Sequence, residues 1–311
     1  MKRYWPIAVV LILLAGMFAF VLISKSKSQQ AVGQLPFSIG TITPGRTCGR
    51  APAFLHKMHI AQPVMIDLSQ KRYKGIALLY GKGFSKSLHP RQWEQYGHFS
   101  TYALDDHGNI YLVPTPFISI HPTTFNLQKK LYRLDTHTGK VSIFMDFDDI
   151  LPDENNPYGL NAVAYDCDDH TLWVAAIDGS DYATSRGVIY HINPKTKKTM
   201  QRVEGFDALT LKVAHTSKGK YLLAGSARDN GLYAYAITQG NMEAIPHKFL
   251  EIPDPNEHIR KIRIDGKDRL LLETIPFSYS LIARAAKTDR TRYRAVWSKD
   301  LNGWNVTKED K

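Results

Sequence analysis

The sequence has little cysteine: two residues in 311. That scarcity excludes a disulfide-dense scaffold and any zinc site built from four cysteines, and leaves room for one bridge, between Cys48 and Cys167. Common catalytic motifs are also missing. There is no HExxH helix, no G-x-S-x-G elbow and no phosphate-binding P-loop, since residues 81–87, GKGFSKS, put glycine and lysine in the wrong order. The twelve histidines are scattered and form no zinc-spaced cluster. No acid precedes Asp67, so the N-terminal end is wholly basic. Lys2, Arg3, Lys25 and Lys27 account for four of the 40 basic residues, and the rest of the chain carries 36 against 29 acidic, a balance of +7. So mild an excess does not make the dense basic face that phosphate-tracking proteins need, and no nucleic-acid partner is expected.

What the chain does have is one long apolar run. Residues 7–23 read IAVVLILLAGMFAFVLI, and no charge occurs across residues 4–24. At about 1.5 Å per residue such a helix matches a hydrocarbon core of about 30 Å. Tyr4 and Trp5 stand at one end, and Lys25 and Lys27 at the other, as interfacial anchors do. A cleaved signal peptide is the competing reading. Its apolar region is usually about 7 to 15 residues followed by a small-x-small site, so residues 1–24 are taken as an uncleaved membrane anchor. The flanking charges slightly favour an N-terminus inside and a body outside the cytoplasm, periplasmic or extracellular. Residues 25–34 form a polar tether and residues 35–311 the body. In that compartment Cys48 and Cys167 can join.

The body repeats itself. Strand-turn-strand units begin at Thr101, Leu160, Leu211 and Ile259, with Ile110, Leu172, Tyr221 and Leu270 in equivalent places. A second hairpin follows each, from Leu131, Val188, Leu232 and Leu281. In the first of these Tyr132 and Leu134 alternate with Arg133 and Asp135, the pattern of a strand with one buried face. Four strands recurring about every 45 to 50 residues predict the blades of a β-propeller. Residues 35–96 add strands for at least one more blade, and the tail after Arg294 offers a closing strand. The expected fold is all-β, a propeller of five or six four-stranded blades with six favoured, behind one transmembrane helix.

The runs GNIYLVP, NPYGLNAVAYDCDDHTLWVAAIDG, RGVIYHINPKTKK and NGLYAYAI resemble blades of six-bladed propellers of the NHL-repeat and gluconolactonase/regucalcin (senescence-marker-protein) type, over roughly 200 residues. These are mostly strand and turn residues, so the resemblance implies architecture more than activity. The lactonases of that group hold a divalent ion with a Glu, an Asn and an Asp; the matching places here carry His98, Tyr158 and Ala176, three departures from the pattern.

In a propeller, the interblade loops and those joining second to third strands gather on one face around the channel. On that face the sequence places His98, Asn161, Asp178, Asp181, Arg186, Asp207, Arg228, Asp229, His258 and Glu273 as candidate ligand-binding residues. Asn161, Asp178 and Asp229 are the candidates for a calcium or other divalent cation held through oxygen. The opposite face is expected to carry Lys195, Lys197, Lys198, Lys218, Lys220, Lys267, Lys287, Arg290 and Arg292 in hairpin turns. Two functions from different classes follow. The first is an anchored extracytoplasmic binding module, with a protein or small molecule as partner. The second is a metal-dependent hydrolase of a small lactone or ester.

Overall fold

The computed structural model describes residues 35–43, 45–68, 74–117, 125–266, 268–280 and 290–309; the anchor and tether expected at residues 1–34 lie outside them. Among the described residues no helix is long and apolar enough to cross a membrane. Strand β1 (Ile42–Thr43) belongs to an N-terminal arm, and the other strands form five antiparallel sheets. Blade 1 holds β2 (Met65–Asp67), β3 (Ala77–Tyr80) and β4 (Lys86–Leu88). Blade 2 holds β5 (Phe99–Leu104), β6 (Ile110–Pro114), β7 (Lys130–Leu134) and β8 (Val141–Asp146). Blade 3 holds β9 (Leu160–Asp166), β10 (Thr171–Ala176), β11 (Val188–Asn193) and β12 (Lys198–Glu204). Blade 4 holds β13 (Ala208–Thr216), β14 (Gly219–Ser226) and β15 (Gly231–Thr238), with β16 (Asn241–Met242) and β17 (His247–Glu251) both pairing with β15. Blade 5 holds β18 (His258–Ile264), β19 (Arg269–Ile275), β20 (Thr291–Ser298) and β21 (Gly303–Lys308). The fold is a five-bladed β-propeller.

Six blades are therefore too many. Residues 37–60 make no blade of their own, and residues 61–96 make a single three-stranded one. The last hairpin is also shifted from its expected start at Leu281. Strand β20 starts at Thr291, and the tail supplies β21, which pairs Trp304 with Trp297 and Val306 with Ala295. Lys267 and Lys287 lie outside the described residues, while Arg290 and Arg292 stand where β20 begins, not in a hairpin turn.

Burial explains the strand types. The second strand of blade 3, TLWVAA, is buried at every position, whereas its outermost strand, KTMQRVE, is mostly exposed. Apolar clusters fill the spaces between blades 1 and 2, 2 and 3, 3 and 4, and 4 and 5. They correct one equivalence. Ile110, Leu172 and Leu270 each face the preceding blade, but in blade 4 that place belongs to Leu222, while Tyr221 faces blade 5. The two-residue turn Ser217-Lys218 is tighter than its counterparts and moves the register by one.

The arm crosses from blade to blade on the side of the first-to-second-strand turns. Phe37 stacks on His247, with ring centroids 4.4 Å apart, and Ile39 and Ile42 join the cluster between blades 4 and 5. Ile42 and Thr43 pair with Thr216 and His215 of β13. Cys48 is joined by a disulfide to Cys167 in the β9–β10 turn, the Cα atoms 5.7 Å apart. Beyond it the Arg50 N–H donates to Asp105 O (3.2 Å) and the Phe54 N–H to Thr136 O (2.8 Å), both in blade 2. Gly108 allows this approach: at φ +86°, a Cβ there would lie 2.7 Å from Ala51 O.

Candidate functional site

On the opposite side, the loops after β10, β12, β14 and β19 meet. Their focus is Asp207, which follows β12 and is 1% exposed. Its Oδ1 accepts from Ser180 Oγ (2.6 Å) and the Gly187 N–H (2.8 Å), and its Oδ2 from Tyr279 Oη (2.6 Å) and Arg228 (3.2 Å). Arg228 also donates to the carbonyls of Asp181 (2.8 Å) and Tyr182 (2.8 Å) and to Tyr279 Oη (3.3 Å). One carboxylate and one guanidinium thus fasten loops of blades 3, 4 and 5. Burial, with the Asp207 hydrogen bond added to it, pushes the Tyr279 phenol well above its usual range. Such a fully satisfied polar network holds its members in one geometry.

Aromatic side chains surround it. The Phe277 ring lies 5.2 Å from Tyr279 and 5.5 Å from Tyr158, and Tyr182 meets Tyr279 edge-on at 5.6 Å. Tyr182 is 72% exposed, yet its hydroxyl is 2.6 Å from Ser278 Oγ in blade 5. An exposed ring held in place from below is a ready contact surface.

Beside this network opens a cleft of about 630 Å³, with Asp149, Asp153, Asp178, Arg186, Arg202 and Glu204 in its walls. Asp178 Oδ2 accepts from the Leu151 N–H (2.9 Å), and burial raises the Asp178 carboxyl above the usual carboxylate range. Asp181 closes a turn by accepting from the Ala183 and Thr184 N–H groups; the Thr184 bond foremost lowers its pKa.

The structure thus brings together Asp181, Asp207 and Arg228, with Asp178 and Arg186 alongside. The other candidates go elsewhere. His98 stacks on Phe117 at 4.1 Å, and Asn161 Nδ2 donates to Ala208 O (3.0 Å). Asp229 turns outward to Lys248 (2.8 Å) and Tyr233 Oη (2.7 Å), and His258 Nδ1 lies 3.1 Å from Asp229 O. Burial lowers the His258 pKa. Glu273 lies 3.4 Å from Lys261 on the far face of blade 5. Asn161, Asp178 and Asp229 therefore serve three separate sets of partners, and among the described residues no three His, Cys, Asp or Glu side chains form a metal-holding group. Ser180, Tyr182, Ser278 and Tyr279 were not among the candidates; the signal for them was the pair of loops SDY and FSY, each placing serine and tyrosine just beyond a second strand.

On the turn side, the expected basic cluster is partly neutralised. Lys220 is paired with Asp166 (2.7 Å), Asp168 (3.2 Å) and Asp169 (2.8 Å), and Lys218 donates to Ser38 O (2.9 Å).

No family model matches the chain, and no curated protein matches it significantly. Solved structures are similar in fold alone. A glucose dehydrogenase is 13% identical over 80% of this chain and 75% of its own, with a TM-score of 0.36. A protein of unknown function from Bacteroides caccae is 9% identical over 80% and 94%, with a TM-score of 0.37. The Bacteroides ovatus xyloglucan PUL protein GH43B is 12% identical over 65% of this chain, with a TM-score of 0.37, and the match spans only 39% of that protein's length.

Proposed function

We propose that the protein is a membrane-anchored, extracytoplasmic β-propeller that works as a binding module, its ligand surface being the Asp207–Arg228 face with the adjoining cleft. The network tying three blades into one rigid face is the observation that carries this reading. Preorganised loops reduce the ordering cost of binding, and the cleft offers carboxylates and guanidiniums side by side for a polar ligand. The apolar run at residues 7–23 supports the anchor, and the disulfide supports an oxidising compartment.

Two measurements test it on the full chain in its own membrane. Protease added to intact cells should digest the body, and protection of the body until the membrane is opened counts against the outward orientation. A photo-crosslinking residue at Tyr182 should yield a discrete adduct that Arg186→Ala weakens; no adduct, or one equally strong from a position on β21, removes the site. The lactonase-type hydrolase would need Asn161, Asp178 and Asp229 to leave their present partners for one ion. It gains only if the purified protein holds a stoichiometric divalent cation whose chelation lowers Tm.

A further inference from the structure

Blade 5 has one buried face and one open face. Ile262, Leu270, Leu272, Tyr293, Ala295, Trp304 and Val306 alternate into the core shared with blade 4. The residues between them point the other way, and cross-strand pairing fixes their rows. Lys261 stands opposite Glu273, which stands opposite Arg292. Arg263 stands opposite Leu271, then Arg294, then Thr307. Arg269 stands opposite Val296, then Asn305. No apolar cluster among the described residues covers this face. Lys261 is 64% exposed, Arg294 48% and Val296 40%.

The charge on the open face is unbalanced. It carries five cations, Lys261, Arg263, Arg269, Arg292 and Arg294, against three carboxylates, Glu273 in an end row and Asp265 and Glu309 at the margin. Arg269 is paired with Asp265 (2.9 Å) and Arg294 with Glu309 (2.7 Å), both at the margin, while Arg290 reaches Glu273 from the rim (3.6 Å). Arg263 and Arg292 have no acidic partner among the described residues. Of the chain's 16 arginines, Arg260, Arg263, Arg269, Arg292 and Arg294 stand on strands of this blade. A terminal face needs only polarity to stay in water; guanidiniums in this excess supply the planar, two-pronged donors that match carboxylates.

We propose that the open face of blade 5 binds a carboxylate-bearing acidic polysaccharide. Strands about 4.8 Å apart, with same-face residues about 6.8 Å apart along each, set the cations in a two-dimensional array that an extended polymer with one carboxylate per sugar meets at several points at once. A folded acidic protein fits less well, because protein interfaces centre on buried apolar and aromatic anchors, and among the described residues the strands of this face offer Leu271 and Val296 alone. The inference is independent of the channel-side binding face.

The test uses the full chain in detergent micelles with polygalacturonate as probe, read by titration at several salt concentrations. Polygalacturonate should bind and neutral dextran should not, with affinity falling as salt rises. Arg263→Gln/Arg292→Gln, whose side chains are exposed, should keep the parent Tm and bind at least about tenfold more weakly with a shallower salt dependence. Lys195→Gln/Lys198→Gln, at the β11–β12 turn and the start of β12 in blade 3, should bind like the parent. Should the double arginine variant misfold, Lys261→Gln alone is expected to weaken binding measurably. Equal binding by the arginine variant, equal loss in the lysine control, or binding to phosphatidylglycerol vesicles or duplex DNA in preference to polygalacturonate would each overturn the assignment.

Discussion

Asp207 and His191 are both buried, the first with four donors and the second with one ring nitrogen lacking a partner. Four groups donate to the Asp207 carboxylate: Ser180 Oγ, the Gly187 N–H, Tyr279 Oη and the Arg228 guanidinium. Removing the carboxylate leaves Arg228 and Tyr279 without their shared acceptor. Asp207→Ala is expected to cost about 3–5 kcal/mol, a fall of roughly 10 °C in Tm, whereas Tyr279→Phe, losing one hydrogen bond, should cost about 1–2 kcal/mol. A thermal melt of both variants checks the ratio; equal small losses would show that the network is not closed. His191 is fully buried, stacked on Trp173 at 3.8 Å, with Nε2 2.8 Å from Thr171 Oγ1 and no hydrogen-bond partner for Nδ1. Burial therefore lowers its pKa. An unfolded histidine titrates near about 6.5, so below that pH the unfolded chain takes up a proton that the folded chain refuses. Stability is full above that value and drains as pH falls toward the folded pKa. His191→Phe keeps the stack and should lose less stability than the parent between about pH 7 and 5, read from denaturant midpoints.

At the scale of elements, the blades were legible because their physics is local. Second strands such as TLWVAA are apolar throughout, and Asp105, Asp135 and Asn193 mark turns by accepting from N–H groups two or more residues on. Where the local pattern is ambiguous, tertiary pairing sets the register. RTRYRAVW alternates equally well in two hairpin registers, and only the pairing of β20 with β21, driven by Trp304, Val306 and their contacts with blade 4, selects one. Trp304→Ala should accordingly cost about 3–5 kcal/mol; a change below about 0.5 kcal/mol in urea unfolding would mean that the tail trails free. The two cysteines pointed to an arm tied to the body, but its route was not legible, since its contacts join residues far apart in sequence, Thr41 to Ser217 and Arg50 to Asp105 among them. At the site, Asp181, Asp207 and Arg228 showed themselves as charges at strand ends, while Ser180, Ser278 and Tyr279 carry no charge to single them out among the many serines and tyrosines of the chain.

Over the whole molecule, the disulfide closes a stretch of 119 residues and binds the arm to blade 3. In the chain-entropy account a loop of that length is worth up to about 5 kcal/mol. Cys48→Ser/Cys167→Ser, or the reduced parent, should melt lower by an amount of that order, with amide exchange rising first at Thr43, Arg50 and Phe54 and last in β10. Uniform loss of protection would instead indicate that the bridge supports the entire body. The order follows from burial, because β10 lies in the core while the arm is held by a few backbone bonds at the edge.

The route of the arm also decides how the molecule answers a pull on its N-terminal end. Tension would first lift Phe37, Ile39 and the two residue pairs of β1, a peel that opens one contact at a time. At Cys48 the peel stops, because the next link is covalent and leads into blade 3. Thirteen residues, 35–47, can pay out, about 45 Å of slack at full extension. Past that length the force is shared with the β9–β10 hairpin, whose strands are clamped between blades 2 and 4. A reductant would convert this arrested spring into one that unravels through residue 60.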